Sequence, residues 1–209
     1  SMYCQPMNTT KASDTGKIDQ RKHILAVGQS LMAKKGFSAV GLNEILTTAS
    51  VPKGSFYYYF TSKDAFGEEL LKSYFQDYHA EMDATFSQPG LTMAQRLMNY
   101  WQQWQESQSF YDCQGKCLAV KLGAEVADLS ESMRQALDAG TSGIISRIAK
   151  VIETGVEEGS MTVTDKPLMA AQGLYQLWLG SSVMVKIVRN TQPFDAAMAM
   201  TQQIIHPPR

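Results

Sequence analysis

The stretch Leu42–Lys63, LNEILTTASVPKGSFYYYFTSK, constrains the fold more than any other part of the chain. Its apolar residues recur every three or four positions as far as Ala49, which is the pattern of an amphipathic helix. Pro52 then stands where proline commonly opens a helix, because the first turn offers its nitrogen no partner. We therefore predict two short helices joined by a tight turn, with a third, longer helix beginning at the end of the stretch.

The second short helix, predicted over about Pro52–Tyr59, has two chemically different faces. Phe56 and Phe60 are four residues apart, so they share a face that can be anchored in a core. A short helix with an apolar back and a small, cationic front suits entry into the major groove of DNA, as in helix-turn-helix proteins. The predicted front carries Lys53, Gly54, Ser55, Tyr57 and Tyr58.

The next helix begins with a second candidate phosphate site. Lys63 lies in its first turn, where the side-chain charge and the exposed N–H groups both suit a phosphate. Thr61 and Asp64, three residues apart, resemble the start of a capping box. We expect most DNA contacts of Lys53 and Lys63 to be with phosphates. The residues expected at base edges or at phosphates near the groove are Ser55, Tyr57 and Tyr58.

The segment VPKGSFYYYFTSK resembles the end of the DNA-binding domain of the TetR (tetracycline-repressor-like) family of bacterial regulators. The resemblance extends from about Ile18 to Phe66. Ser50 stands where the turn usually has glycine, so a residue with a side chain must adopt that turn. Gly41 stands where a threonine often caps the helix. The resemblance implies a DNA-binding repressor that reads a palindromic operator as a homodimer, since a two-fold dimer reads two half-sites.

The charge distribution agrees with a DNA-binding N-terminal part. Residues 1–64 carry 8 Lys/Arg and 4 Asp/Glu, a net charge of +4, whereas residues 65–209 carry 11 and 16, a net charge of −5. A basic front with an acidic remainder fits DNA binding confined to the front. Because +4 is modest, ordinary surface charge remains the alternative explanation.

Other features bound the function. No run of about 18 apolar residues and no N-terminal signal pattern is visible, so we predict neither a membrane partner nor secretion. Three cysteines, an odd number, argue against a disulfide framework and for a reducing cytoplasm. The cysteines form no zinc signature, and the histidines stand singly, so neither a metal site nor a cofactor is predicted. The histidines are His23, His79 and His206.

No segment shows sustained alternation, so we predict an all-α protein of about nine helices. Residues 1–16 are expected to form a flexible arm, residues 17–64 a three-helix DNA-binding domain, and residues 65–209 a helical sensing and dimerisation bundle. The first helix is expected over about Ile18–Lys35, with Gly36 ending it. The later helices are predicted at about 61–86, 92–107, 115–128, 130–158, 164–189 and from 193, with Ser130 and Thr164-Asp165 as caps.

The two last predicted helices carry a candidate dimer interface. The eighth is rich in small residues, which let another helix approach closely, and the ninth has an apolar face. In the resembled family the last two helices of each chain pair into a four-helix interface. The residues that indicate the interface are Ala170, Ala171, Gly173, Gly180, Ser181 and Ser182, with Ala196, Ala197, Met200 and Ile204.

Cys117 is the candidate sensing residue. It lies at the predicted start of the sixth helix, where the helix dipole and the neighbours Lys116 and Lys121 favour a thiolate. The alternative is an inert core cysteine. Lys186 interrupts the apolar run VMVKIV near the end of the eighth helix. It either extends its ammonium to the surface or is a partly buried cation that favours the thiolate and can react with an oxidised sulfur.

Two further segments, GKCLAVKLGAEVADLSESMR and LYQLWLGSSVMVKI, resemble a subgroup of the same family that senses electrophiles and oxidants. In that subgroup, modification of a cysteine releases DNA, and Cys117 and Lys186 match the sensing cysteine and a nearby lysine. The resemblance therefore implies a small electrophile or oxidant as inducer. Cys113 has no firm match and is a candidate resolving thiol, whereas Cys4 in the arm is incidental.

Two other functions are compatible with parts of the sequence. Aromatic residues of the bundle either line a cavity for a small apolar ligand, which would induce release without covalent chemistry, or simply pack the core. A thiol peroxide reductase using Cys113 and Cys117 would leave the helix-turn-helix unexplained, so we predict no enzyme activity. The aromatic residues concerned are Tyr74, Tyr78, Tyr100, Trp101, Trp104, Tyr175 and Trp178.

Overall fold

The computed structural model describes residues 10–108 and 118–206, and within these ranges the regular structure is entirely α-helical, which confirms the predicted class. The helices of the described residues are α1 (Thr10–Lys35), α2 (Leu42–Ala49), α3 (Lys53–Tyr59), α4 (Lys63–Phe86), α5 (Met93–Gln108), α6 (Leu118–Leu129), α7 (Glu131–Glu158), α8 (Pro167–Val188) and α9 (Gln192–Ile205).

The start of α1 differs from its prediction. The helix begins at Thr10 rather than near Ile18, so its first two turns occupy residues that the sequence placed in the arm. The sequence of residues 10–17 has no apolar stripe, so hydrophobic periodicity could not predict that they are helical. The end of the helix is as predicted, because Gly36 follows Lys35 in the left-handed region at φ +86°.

The caps of α4 and α8 also differ from their predictions. Ser62, not Thr61, caps α4, and its Oγ accepts a 3.0 Å hydrogen bond from the backbone N–H of Ala65. Two adjacent hydroxyl residues offer the same cap, and only the backbone geometry selects between them. The N-cap of α8 is Lys166 rather than Thr164-Asp165, and its side chain forms no cap hydrogen bond. Here the fixed φ of Pro167 sets the start.

The α7 boundaries agree with the sequence. Ser130 Oγ accepts from the backbone N–H of Met133, and Gly159 ends the helix at φ +80°. α7 lies centrally and packs against α4, α5, α6 and α8. Its inward face is made of residues that the three/four spacing indicated, which are Met133, Leu137, Ile144, Ile148, Val151 and Gly155.

The N-terminal domain joins the bundle through α4. Phe66 in its second turn lies beside the rings of Phe56 and Phe60, with centroids 5.2 and 4.9 Å away. Gly28 of α1 makes room for this ring, because a Cβ at position 28 would lie 2.4 Å from Phe66 Cζ. The remainder of α4 packs on α5 and α7. One continuous helix therefore connects the N-terminal domain to the bundle. None of the helices in the described ranges is long and apolar enough to cross a membrane.

Candidate DNA-binding face and sensing helix

The turn between α2 and α3 has the conformation that the sequence required. Ser50 adopts the left-handed region at φ 56° and ψ 44°, and its N–H donates to the carbonyl oxygens of the last turn of α2. Gly41 precedes α2 and provides no side-chain cap. The turn places α3 against α1 and α4 by its apolar back, since Phe56 is fully buried and Phe60 nearly so.

The predicted front of α3 is solvent-exposed. Tyr57 and Tyr58 expose 47% and 66% of their surface, which is unusual for residues of this size. Lys53 and Gly54 are also exposed, and Ser55 is half-buried. A Cβ at Gly54 would meet nothing within 4 Å. The face therefore consists of two projecting phenols and a cation around a point where the backbone itself is open to approach.

α1 contributes a cation to this face that sequence reasoning missed. Lys17 Nζ lies 3.4 Å from the hydroxyl oxygen of Tyr58 and 5.2 Å from the centroid of its ring. The neighbouring Tyr59 donates a 3.0 Å hydrogen bond to the side chain of Gln20, which braces α3 against α1. The only sequence signal for Lys17 was its charge, because nothing local relates it to a residue 41 positions away.

Lys63 has a partner within the protein. Its Nζ donates a 2.9 Å hydrogen bond to the carbonyl oxygen of Phe37 in the α1–α2 turn, and it lies 4.4 Å from the centroid of the Phe37 ring. An ammonium has three donors, so two N–H bonds remain for another acceptor. The structure thus ties Lys63 to the turn between α1 and α2.

Glu125 of α6 is a second residue that the sequence did not single out. Its Oε1 accepts hydrogen bonds from the backbone N–H groups of Ser38 at 2.7 Å and Phe37 at 3.1 Å, and its Oε2 lies 3.2 Å from the latter nitrogen. Partial burial opposes ionisation, but the two amides and the charge of Lys63 outweigh it and lower the pKa of Glu125. Glu125 therefore bonds the bundle to the DNA-binding domain as a carboxylate.

The predicted sensing residues fall in different parts of the chain. Cys4, Cys113 and Cys117 lie outside the described residues. Lys186 lies in the last turn of α8 and is half-buried. Leu118, the first described residue of α6, is fully buried, and α6 contacts α1, α7 and α8. The helix that follows Cys117 therefore touches both the DNA-binding domain and the helix that carries Lys186.

The aromatic residues of the bundle form one packed cluster. Trp101 and Trp178 are stacked, with centroids 4.8 Å apart and planes 6° from parallel, and both are fully buried. The indole N–H of Trp178 donates to Thr201, and that of Trp104 donates to Ser182, each at 2.9 Å. For these rings, core packing explains the sequence signal.

The same cluster also contains polar groups, among them the hydroxyls of Tyr78 and Tyr100 and the indole N–H of Trp101. The hydroxyl oxygens of Tyr78 and Tyr100 lie 2.7 Å apart, and burial together with Tyr78 raises the pKa of Tyr100 well above its ordinary value. The indole N–H of Trp101 is buried and finds no acceptor among the described residues. A buried donor of this kind is costly unless a bound molecule or water accepts from it.

A small surface cavity lies where α6, α7 and α8 meet. Its volume is about 400 Å³, and it is lined by Ala119, Gly123, Ala127, Arg134, Leu137, Asp138, Thr141 and Leu179. In the described part of the chain, no three histidine, cysteine or acidic residues are grouped so that they could hold a metal ion.

Comparisons with known proteins cover both halves of the chain. Residues 24–70 match the family described as bacterial regulatory proteins, tetR family, and residues 93–201 match the tetracyclin repressor-like C-terminal domain. The chain is 41% identical to the HTH-type transcriptional repressor NemR of Escherichia coli (strain K12) over 190 residues, which are 91% of this chain and 96% of that one.

Two further similarities agree with these. The HTH-type transcriptional repressor DhaR of Mycobacterium sp. (strain GP1) is 30% identical over 187 residues, which are 90% of this chain and 92% of that protein. The crystal structure of the reduced form of E. coli NemR superposes with a TM-score of 0.86 at 42% identity, covering 91% of this chain and 98% of that one.

Proposed function

The chain belongs to the TetR family of bacterial regulators, and on this premise we propose that modification of Cys117 releases it from DNA. It is a transcriptional repressor of the NemR type and not an enzyme. The inducer in this proposal is a small electrophile or oxidant. The observation that carries the proposal is the position of α6, which begins directly after Cys117 and contacts α1 of the DNA-binding domain. Because the target is the bacterial chromosome, the protein acts in the cytoplasm.

The proposed DNA contacts follow the exposed face of α3. Lys53 and Lys63 hold phosphates, and Gly54 allows the backbone to approach the duplex closely. Ser55, Tyr57 and Tyr58 reach base edges or phosphates at the groove. One seven-residue helix reads few base pairs, so two copies in a two-fold dimer read a palindromic operator.

The proposed dimer interface is formed by α8 and α9. Their outer surfaces expose large apolar side chains, which in a monomer would be left in water. Gly173 and Gly180 add positions where a Cβ would meet nothing within 4 Å of the same chain, so a second helix can approach there. The exposed apolar residues on these helices are Leu168, Met169, Val183, Met184, Ile187, Val188 and Met200.

The first step of the proposed chemistry needs only a thiolate and an electrophile. With N-ethylmaleimide, the thiolate of Cys117 adds to the carbon–carbon double bond, a C–S bond forms, and the adjacent carbon takes a proton from water. With hypochlorous acid, the sulfur takes the chlorine and hydroxide leaves. The ammonium of Lys186 then loses a proton to water and its nitrogen attacks the sulfur, so that an S–N bond forms and chloride and a second proton are released.

The position of Lys186 supports its part in this chemistry. It lies seven residues, about two turns, after Leu179, so both are on the same face of α8. Leu179 shares the cavity described above with Ala119 and Gly123 of α6. The face that carries Lys186 is therefore turned towards the helix that follows Cys117. Cys113 is the alternative partner, and it would displace chloride or hydroxide from the modified sulfur to form a disulfide.

Single cysteine variants test the proposal. We expect Cys117→Ser to bind the operator as the wild type does, but to stay bound after treatment with N-ethylmaleimide or hypochlorite. Cys113→Ser and Cys4→Ser are matched controls and should still be released by N-ethylmaleimide. The measurement is fluorescence anisotropy of a labelled operator duplex. Release of Cys117→Ser equal to that of the wild type would exclude the thiol mechanism.

The unsatisfied indole N–H of Trp101 favours one alternative, in which a small apolar ligand with one hydrogen-bond acceptor binds non-covalently in the aromatic cluster. Release by such a ligand would reverse on dialysis without a reductant, and Trp101→Phe would weaken it. Mass analysis under non-reducing conditions separates the two, since a covalent adduct on Cys117 adds the mass of the inducer.

A further inference from the structure

One side chain of the bundle holds the turn that follows the first helix of the DNA-binding domain. Glu125 is 88 residues away from Phe37 in sequence, yet its carboxylate accepts from the N–H groups of Phe37 and Ser38. We propose that Glu125 is a positioning residue, through which α6 sets the position of the DNA-binding domain. This inference rests on the proposed release mechanism, because it assigns a route from Cys117 to α3.

The turn is held from two sides. The N–H of Phe37 is bonded to Glu125 of α6, and the carbonyl oxygen of the same residue is bonded to Lys63 at the start of α4. Lys63 also attracts the carboxylate electrostatically. A single turn residue therefore connects the sensing helix to the first turn of α4, which directly follows the recognition helix.

Gly36 leaves space for the carboxylate of Glu125. Gly36 adopts φ +86°, a region that glycine enters without a steric penalty. A Cβ at this position would also lie 2.6 Å from Glu125 Oε2. Any side chain at Gly36 would therefore both strain the turn and displace Glu125. The glycine thus opens the space through which α6 reaches the backbone N–H groups.

The bonds are sensitive to small movements of α6. The Ser38 bond is 2.7 Å long, and a donor–acceptor distance of about 3.6 Å no longer counts as a hydrogen bond. A shift of α6 of about 1 Å is therefore enough to break it. Glu125 lies seven residues after Leu118, so a displacement at the start of α6 reaches it within about two turns of rigid helix. The turn and Lys63 would then lose their anchor together.

The test compares Glu125→Ala with Asp128→Asn, which removes the same charge from an exposed position on the same helix. The quantity measured is the ratio of operator Kd after and before treatment with N-ethylmaleimide. We expect a ratio above ten for the wild type and Asp128→Asn, and below three for Glu125→Ala. Glu125→Gln keeps one acceptor oxygen and should give an intermediate ratio, an outcome that general loss of stability would not produce.

Two results would overturn the inference. The first is a Glu125→Ala ratio equal to that of the wild type. The second concerns the case in which N-ethylmaleimide does not release the wild type at all. That outcome would reject the thiol mechanism, but the role of the Glu125 hydrogen bonds could still be tested. In that case, untreated Glu125→Ala should bind the operator three- to tenfold more weakly, and amides 37 and 38 should take up deuterium faster. Wild-type values in both measurements would show that Glu125 positions nothing.

Discussion

The ammonium of Lys63 and the backbone of Phe37 form a fixed pair, with a 2.9 Å hydrogen bond to the carbonyl oxygen and 4.4 Å from Nζ to the ring centroid. The cation that the sequence assigns to a phosphate is thus held in place in the free protein. A side chain ordered in advance loses less conformational entropy on binding. With two N–H donors still available, Lys63 can keep its bond to Phe37 and also donate to a phosphate oxygen.

Replacing Lys63 by methionine should weaken binding to every duplex by a similar factor. Phosphate contacts carry no sequence information, and each one contributes about 0.9 to the slope of log K against log salt concentration, so two copies contribute about 1.8. The measurement is operator and non-operator binding at several salt concentrations. Lys72→Met is the matched control, because Lys72 lies further along α4 and pairs with Glu68 at 2.8 Å. A loss confined to the operator would contradict the phosphate role.

The helix-turn-helix could be predicted closely because its signal is local. Phe56 and Phe60 had to share a face at their spacing, and both are buried. Ser50 had to take a left-handed conformation, and it does. These inferences depend only on residues within one or two turns of each other, so periodicity and turn geometry determine them.

The rest of the candidate site depends on contacts between distant residues. No local pattern relates Lys17 to Tyr58, a pair that forms when α3 packs against α1. The same holds for Glu125 and Phe37, which meet when the bundle packs against the N-terminal domain. The start of α1 was missed for a different reason, because residues 10–17 carry no apolar periodicity in the sequence. The DNA-contact roles of α3 and the sensing roles of Cys117, Cys113 and Lys186 stay predictions.

Gly54→Ala should separate stability from DNA binding. A Cβ at this position meets nothing within 4 Å, and alanine in an exposed helix is about 0.5–1 kcal/mol more stable than glycine. The melting temperature should therefore stay level or rise. The added methyl group projects from the front of α3, so operator affinity should fall about tenfold, equal to about 1.4 kcal/mol. Thermal unfolding and anisotropy measure the two effects.

Gly123→Ala is the control for that experiment. Its Cβ also meets nothing within 4 Å, but it belongs to α6, which packs on α1, α7 and α8. It should gain similar stability and bind the operator normally. Wild-type affinity for Gly54→Ala would show that the duplex does not approach the backbone of α3 at this point.

Ile187→Asp should dissociate the dimer. Ile187 exposes 66% of its surface on α8, which is unusual for isoleucine in water. A charge there costs little in the monomer but would be buried without a partner in a helix–helix interface. Light scattering after gel filtration should show a shift to half the mass, together with loss of operator binding. Leu129→Asp, at a residue with 57% exposure on α6, is the control and should remain dimeric.

The carboxylate of Glu125 should make part of the stability dependent on acid pH. Its native pKa lies below the ordinary value of 4.5, so in the window between the two values the unfolded chain binds more protons. The contribution is therefore complete above about pH 5 and is lost as the pH falls through the lowered native pKa. Urea unfolding from pH 7 to pH 3 should show the difference between the wild type and Glu125→Gln shrinking below pH 4.5. A difference that grows towards low pH would have the wrong sign for an anchored carboxylate.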